Sequence, residues 1–189
     1  MKINKKIILA SLSPRRIELL KKWGLEFDIV PSNIDETYNL KRPSSIVKYL
    51  AYKKAEFVKE KNPTCIVIGS DTIVVLNGKI LGKPKDKQDS IRMVKELNGS
   101  THRVYTGVSI LSSKLNVVFY DTAIVKMKKL SDTDLQKFFG KHMDKAGAYA
   151  VQDKNDSFVK KIYGDYFTVV GLPHIKLKEK LKLFGIDIM

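Results

Sequence analysis

Two serines and two arginines crowd the start of the chain, at Ser11, Ser13, Arg15 and Arg16 in LASLSPRR. The apolar run Ile7 to Ala10 before them reads as a buried strand, and Ser13-Pro14 opens a helix expected to run to Trp23 and stop at Gly24. A strand that feeds a helix through so short a loop gathers hydroxyls, the free N–H groups of a first helical turn and two guanidinium groups in one place. Polyphosphate is the ligand such a set suits. The plain alternative is an ordinary Ser-Pro helix start with solvated arginines, which as cations oppose the helix dipole there. An oxyanion seated between the N–H groups and the arginines relieves that conflict.

Asp71 is the next residue whose type asks for chemistry. It separates CIVIGS from TIVVL, two runs rich in β-branched residues, and is expected at a bend between buried strand segments. A carboxylate in that position is costly to bury without a partner or a metal. Asp35 and Glu36 are neighbouring carboxylates in the polar connection PSNIDETYNLKRP, where such residues ordinarily serve solubility. Lys53 and Lys54 fall on or beside the edge of a helical face, and Lys83 sits in a Gly-Lys-Pro turn. Gln152 and Asp153 end the stretch AGAYAVQD, in which Gly147 and Ala148 allow close backbone approach.

The elements that must position these residues follow from periodicity. LEFDIV alternates apolar and acidic residues like a half-buried strand. A helix begins at Ser44 or Ser45 and carries Ile46, Val47, Leu50, Ala51, Phe57 and Val58 on one face. Asn77-Gly78 signals a hairpin, and DSIRMVKELNG a helix that starts near Asp86 and ends at Gly99. STHRVYTGVSILSS and NVVFYDTAIVKMK read as two long strands, and Ser131-x-x-Asp134 as a capping box before a short helix. SFVKKIYGDYFTVVGLP is expected to be a strand pair broken at Gly164, and the tail from Pro173 an amphipathic helix.

At 189 residues, with 43% hydrophobic and 29% charged residues, the chain suits one soluble domain spanning residues 1–189. A chain of that size buries roughly 70% of its unfolded surface without disulfides or structural metals. No apolar run approaches a bilayer span, and the run in MKINKKIILASLS is too brief for a signal peptide, so a cytoplasmic location is expected and a membrane partner is not. Cys65 is the lone cysteine, and His102, His142 and His174 show no metal-ligand spacing. The net charge of +15 invites a nucleic-acid reading, but 30 of the 35 cationic residues are lysines dispersed along the chain, which disfavours a binding stripe.

The blocks LASLSPRR, IDE at Ile34 to Glu36, AYKKA at Ala51 to Ala55, GSDTIV at Gly69 to Val74, GKP at Gly82 to Pro84, THRVYTGV, DKAGAYAVQD and VVGLP occur in one order. In that order and spacing they resemble the Maf family of nucleoside triphosphate pyrophosphatases, nearly end to end. The resemblance implies an α/β fold with a central twisted mixed sheet flanked by helices, a nucleotide-binding cleft of the Maf/ITPase-like kind, and a homodimer. The AGAY-x-x-Q form is similar to the branch that hydrolyses dTTP and UTP. By motif position, the catalytic aspartate falls on Asp71 and the specificity residues on Arg15, Thr72 and Gln152. The other phosphate- and metal-handling residues implied are Ser13, Arg16, Glu36, Lys54 and Lys83.

Physical chemistry gives each a task. Cleaving the α,β-phosphoanhydride needs a water aimed at phosphorus and neutralisation of charge on the departing pyrophosphate. Asp71 and Glu36 are suited to Mg²⁺ or Mn²⁺, and Asp71 also to taking the water's proton. Arg15, Arg16, Lys54 and Lys83 suit triphosphate oxygens. Gln152 offers the donor and acceptor that complement the imide edge of uracil and thymine, so CTP should be a poor substrate. Arg103, Asp153 after Gln152, and Thr168 before VVGLP depart from the usual family pattern. The rival readings are a pyrophosphatase for other modified nucleotides and a nucleic-acid-binding or septum-related regulatory protein; salt-sensitive binding with little base preference would mark the latter.

Overall fold

The structure is a computed structural model that describes residues 6–151 and 158–189. In chain order its elements are β1 (Ile7–Leu9), α1 (Pro14–Lys22), β2 (Asp28–Ile29), α2 (Pro43–Lys61), β3 (Ile66–Leu76), β4 (Lys79–Leu81), α3 (Lys87–Leu97), β5 (Thr101–Leu111), β6 (Asn116–Met127), α4 (Asp132–Leu135), β7 (Val159–Tyr163), α5 (Tyr166–Val170) and α6 (His174–Lys182). The strands form a mixed sheet ordered β2-β1-β3-β5-β6-β7, with β4 paired to β3. The α/β class expected from the sequence is the class adopted. The chain gathers into two compact units, one of residues up to Asp71, Thr106–Asp121 and Gly171–Met189, the other of Thr72–Tyr105 and Thr122–Val170.

In the first unit β1 pairs in parallel with β2, Ile8 opposite Asp28, and with β3, Ile7 opposite Ile66. Strands buried on both sides need no polar alternation, which is why IVIG and its neighbours run continuously apolar. The buried face of α2 carries Ile46, Val47, Leu50, Ala51, Ala55 and Val58. Its backbone comes so close to the strands that a Cβ on Gly69 would lie 2.3 Å from the Ala51 carbonyl oxygen, and one on Gly107 would lie 2.2 Å from that of Val47. Only glycine permits such an approach. Cys65 is buried in a cluster with Ile8, Ala55, Val58 and Val67. Trp23, also buried, stacks 4.4 Å from the His174 ring.

In the second unit β3 turns into β4 through Asn77 (φ 50) and Gly78 (φ 79), the left-handed pair that the hairpin signal demands. The Asp86 carboxylate caps α3 by accepting from the Asp89 amide at 2.8 Å. Ser131 caps α4 in the same way and also donates to the Asp134 carboxylate. Met93, Leu97, Val104, Val125, Phe138 and Phe158 form part of this unit's core.

Three expectations are corrected. Asp71 marks no bend: β3 passes straight through it for 11 residues, because pairing of its charge removes the need to leave the sheet. LEFDIV yields only the exposed edge strand Asp28–Ile29, since it has a neighbour on one side alone. The last strand pair is a strand followed by a helix: after Gly164 (φ 103), the Asp165 carboxylate accepts from the Phe167 amide at 2.9 Å and its carbonyl from the Thr168 amide at 3.0 Å. That local cap overrides the β-propensity of Thr168, Val169 and Val170 and makes them α5.

Candidate active site

Ser13 occupies the N-cap of α1 with extended backbone, and Pro14 fills the first helical position, where a missing N–H costs nothing. The Ser13 hydroxyl makes no capping bond; its amide donates to Ser11 Oγ at 3.2 Å. Arg16 points back across the unit. Its Nη1 donates to the Ser70 carbonyl at 2.8 Å and to Ser11 Oγ at 3.3 Å, and its Nε donates to the Gly171 carbonyl at 3.1 Å. The buried Ser70 hydroxyl donates to that same Gly171 carbonyl at 2.8 Å. Arg16 thereby ties the start of α1 to β3 immediately before Asp71 and to the VVGLP segment.

Desolvation pushes the Arg16 pKa down to about 10; the negative charge of Asp71 acts against that, Arg15 adds to it, and Glu36 opposes it. Arg16 stays protonated at neutral pH. The same interactions show that Arg15, Arg16, Glu36 and Asp71 share one electrostatic neighbourhood.

Its centre is an ammonium between two carboxylates. Lys54 Nζ, from α2, stands 2.6 Å from Asp71 Oδ1 on β3 and 2.9 Å from Glu36 Oε1 on the irregular connection before α2. Lys54 is 8% and Asp71 6% exposed, whereas the Glu36 side chain is 50% exposed. A buried pair holds only with such good geometry, and here one ammonium meets two carboxylates. Ala51 and Ala55 flank Lys54 and are the residues pressed on Gly69, two positions before Asp71 and so on the same face of β3. The glycine contact thus sets the reach of the lysine.

The remaining site residues belong to the second unit or lie outside the described residues. Thr72 follows Asp71 on β3, half-buried. Lys83 is exposed, and the carbonyl of its neighbour Gly82 accepts from the Gly147 amide at 3.0 Å, which clasps the GKP turn to the AGAY stretch. Gln152 and Asp153 are outside the described residues. Arg103 is exposed on β5, and Thr168 is buried in α5.

Sequence reasoning missed the support around these residues. Ser70 and Gly171 hold Arg16, and both lay inside quoted blocks, GSDTIV and VVGLP, without being singled out. His102 and Tyr149 were missed in the same way: His102 Nε2 and the Tyr149 hydroxyl are 2.8 Å apart, with the rings edge to face. His102 is 2% exposed, and burial pushes its pKa down to about 4.

Among the described residues no group of three or more His, Cys, Asp and Glu is placed to hold a metal ion. Two carboxylates converging on one cation nevertheless fit a hard divalent ion of the Mg²⁺ kind, which takes one or two protein carboxylates and completes its shell with water and phosphate oxygens. Also among the described residues, no helix is long and apolar enough to cross a membrane.

Known proteins resemble the chain along nearly its whole length. The chain is 47% identical over 182 residues to a dTTP/UTP pyrophosphatase of Elusimicrobium minutum, covering 95% of this chain and 99% of that protein. It is 43% identical to one of Dictyoglomus turgidum, covering 99% and 100%, and 45% identical to one of Bacillus cereus, covering 97% and 98%. Among solved structures, the Staphylococcus aureus Ham1 protein shares the fold at 15% identity, with a TM-score of 0.53 over 96% of this chain and all of that one. The profile of the Maf-like proteins matches residues 6–184, and the chain belongs to the Maf family.

Proposed function

We propose that this protein hydrolyses dTTP and UTP to the nucleoside monophosphate and pyrophosphate. The observation that carries the reading is Asp71, a carboxylate buried in a central strand and gathered with Glu36 around one cation. The three relatives bear the name of that activity.

Asp71 accepts the proton of the water that attacks phosphorus. Arg15, Arg16 and Lys83 bind triphosphate oxygens, and Ser13 offers a hydroxyl at the start of α1. Arg16 is held for this by Ser70 and Gly171. Thr72 and Gln152, with Arg15, select the base. A divalent ion, Mg²⁺ or Mn²⁺, held by Asp71 and Glu36, supplies positive charge against the phosphate oxygens when bound. The protein works in the cytoplasm, a reading that rests on the brevity of its apolar runs, and as a homodimer, a reading that rests on the family resemblance.

Pyrophosphate release measured across the common and modified nucleoside triphosphates, with Mg²⁺ or Mn²⁺, tests this. Activity concentrated on dTTP and UTP is expected. Activity concentrated on another base would keep the chemistry and discard the base assignment, and no pyrophosphate from any nucleotide would sink the reading.

A further inference from the structure

Lys54 places its ammonium between Asp71 and Glu36, within hydrogen-bond distance of both. We propose that Lys54 is a stand-in cation: it holds the two acids together while no divalent ion is bound, and it competes with that ion for the same oxygens. The proposal rests on the reading of Asp71 and Glu36 as the ion's ligands.

The geometry makes the competition unavoidable. Asp71 Oδ1 and Glu36 Oε1 both aim at one point, and that point is filled by Nζ. An ammonium and a divalent ion need the same lone pairs and repel each other at contact distance. Ala51 and Ala55 pack directly on Gly69, so making room by moving the helix would break that contact. Swinging the lysine stem breaks none of it. A compact charge on a flexible four-carbon chain swings aside where a guanidinium fork, fixed to its partners, would not. Once displaced, Lys54 is a cation at the mouth of the acid pair, free to meet a phosphate oxygen.

Glu36 explains why a stand-in is useful. It sits on an irregular connection with its side chain 50% exposed, and Lys54 is a direct link from it to Asp71. Lys54 keeps the second acid in place before any ion arrives. The plain alternative is an ordinary buried ion pair that serves stability alone.

The two differ in nucleotide-free metal binding. Calorimetric titration of Mn²⁺ into the wild-type protein and into Lys54→Met is expected to show at least tenfold tighter binding by the variant. In chelator the variant melts below wild type, and Mn²⁺ raises its melting temperature by more. Equal or weaker Mn²⁺ affinity in Lys54→Met, with wild type binding, overturns this proposal alone. Failure of both proteins to bind Mn²⁺ overturns the metal reading and the proposal with it. A second measurement needs no variant: saturating Mg²⁺ should raise the rate of reductive methylation of Lys54 in the wild-type chain several-fold, read by peptide mass spectrometry. An unchanged rate overturns the proposal.

Discussion

Asp71 shows what a single side chain needs before it can act. Its carboxylate is buried and paired with Lys54, which gives it a fixed aim. Asp71→Asn keeps the shape and removes the base; turnover of dTTP should fall by about 10² to 10⁴, with a much smaller change in KM. Retained turnover would remove Asp71 from the chemistry. Gln152→Ala should instead blur the preference for dTTP and UTP over CTP while leaving most of the turnover, which parallel kinetics on the three nucleotides would reveal.

His102 carries a different prediction. Its pKa in the fold is about 4 against an ordinary 6.5, because burial disfavours the imidazolium, so between those values the unfolded chain binds the extra proton. The associated stability is present above about pH 6.5 and is lost as pH falls toward about 4, amounting to about 3 kcal/mol. Denaturant unfolding of wild type and His102→Gln across pH 4.5 to 7.5 should give a steeper slope for wild type. Parallel slopes would remove His102 as the cause.

At the scale of elements, the closest fit is α2 against β3 and β5. Gly107→Ala would drive a methyl into the Val47 carbonyl and the following amide, and should cost about 3 kcal/mol or more of unfolding free energy. Ser131→Ala, by contrast, removes one cap of a short exposed helix and should cost about 1 kcal/mol. The sequence disclosed α1, α2, α3 and the Asn77-Gly78 hairpin because caps, turn residues and apolar period agree there. It misled at Tyr166–Val170, where β-branched residues speak for a strand and a single aspartate cap decides for a helix. It misled at Asp71 too, since a charge inside an apolar run looks like an interruption until its lysine, 17 residues earlier, is known to be opposite. The blocks that mark Arg16, Lys54 and Asp71 were legible as residues; their partners Ser70 and Gly171 were not, because backbone carbonyls carry no signature in sequence.

For the whole molecule, the charge of +15 is a statement about solution behaviour rather than fold. Lysines such as Lys53, Lys79, Lys137 and Lys176 are already matched to acids on the surface, which lowers the charge each offers to a nucleic acid. Retention on immobilised DNA should therefore vanish steeply with added salt and show no sequence preference. Retention at physiological salt with sequence preference would reopen the regulatory reading.

The burial of Cys65 has a practical corollary. The chain has one thiol, 8% exposed, in the cluster that joins α2 to the first strands. Lifting of α2 from that cluster would bare the thiol to a reagent, so the labelling rate in native buffer is a clock for such opening. The same lift would part Lys54 from Asp71, and the tick of that clock, slowed or quickened by a bound ion, reports how firmly the helix is held down.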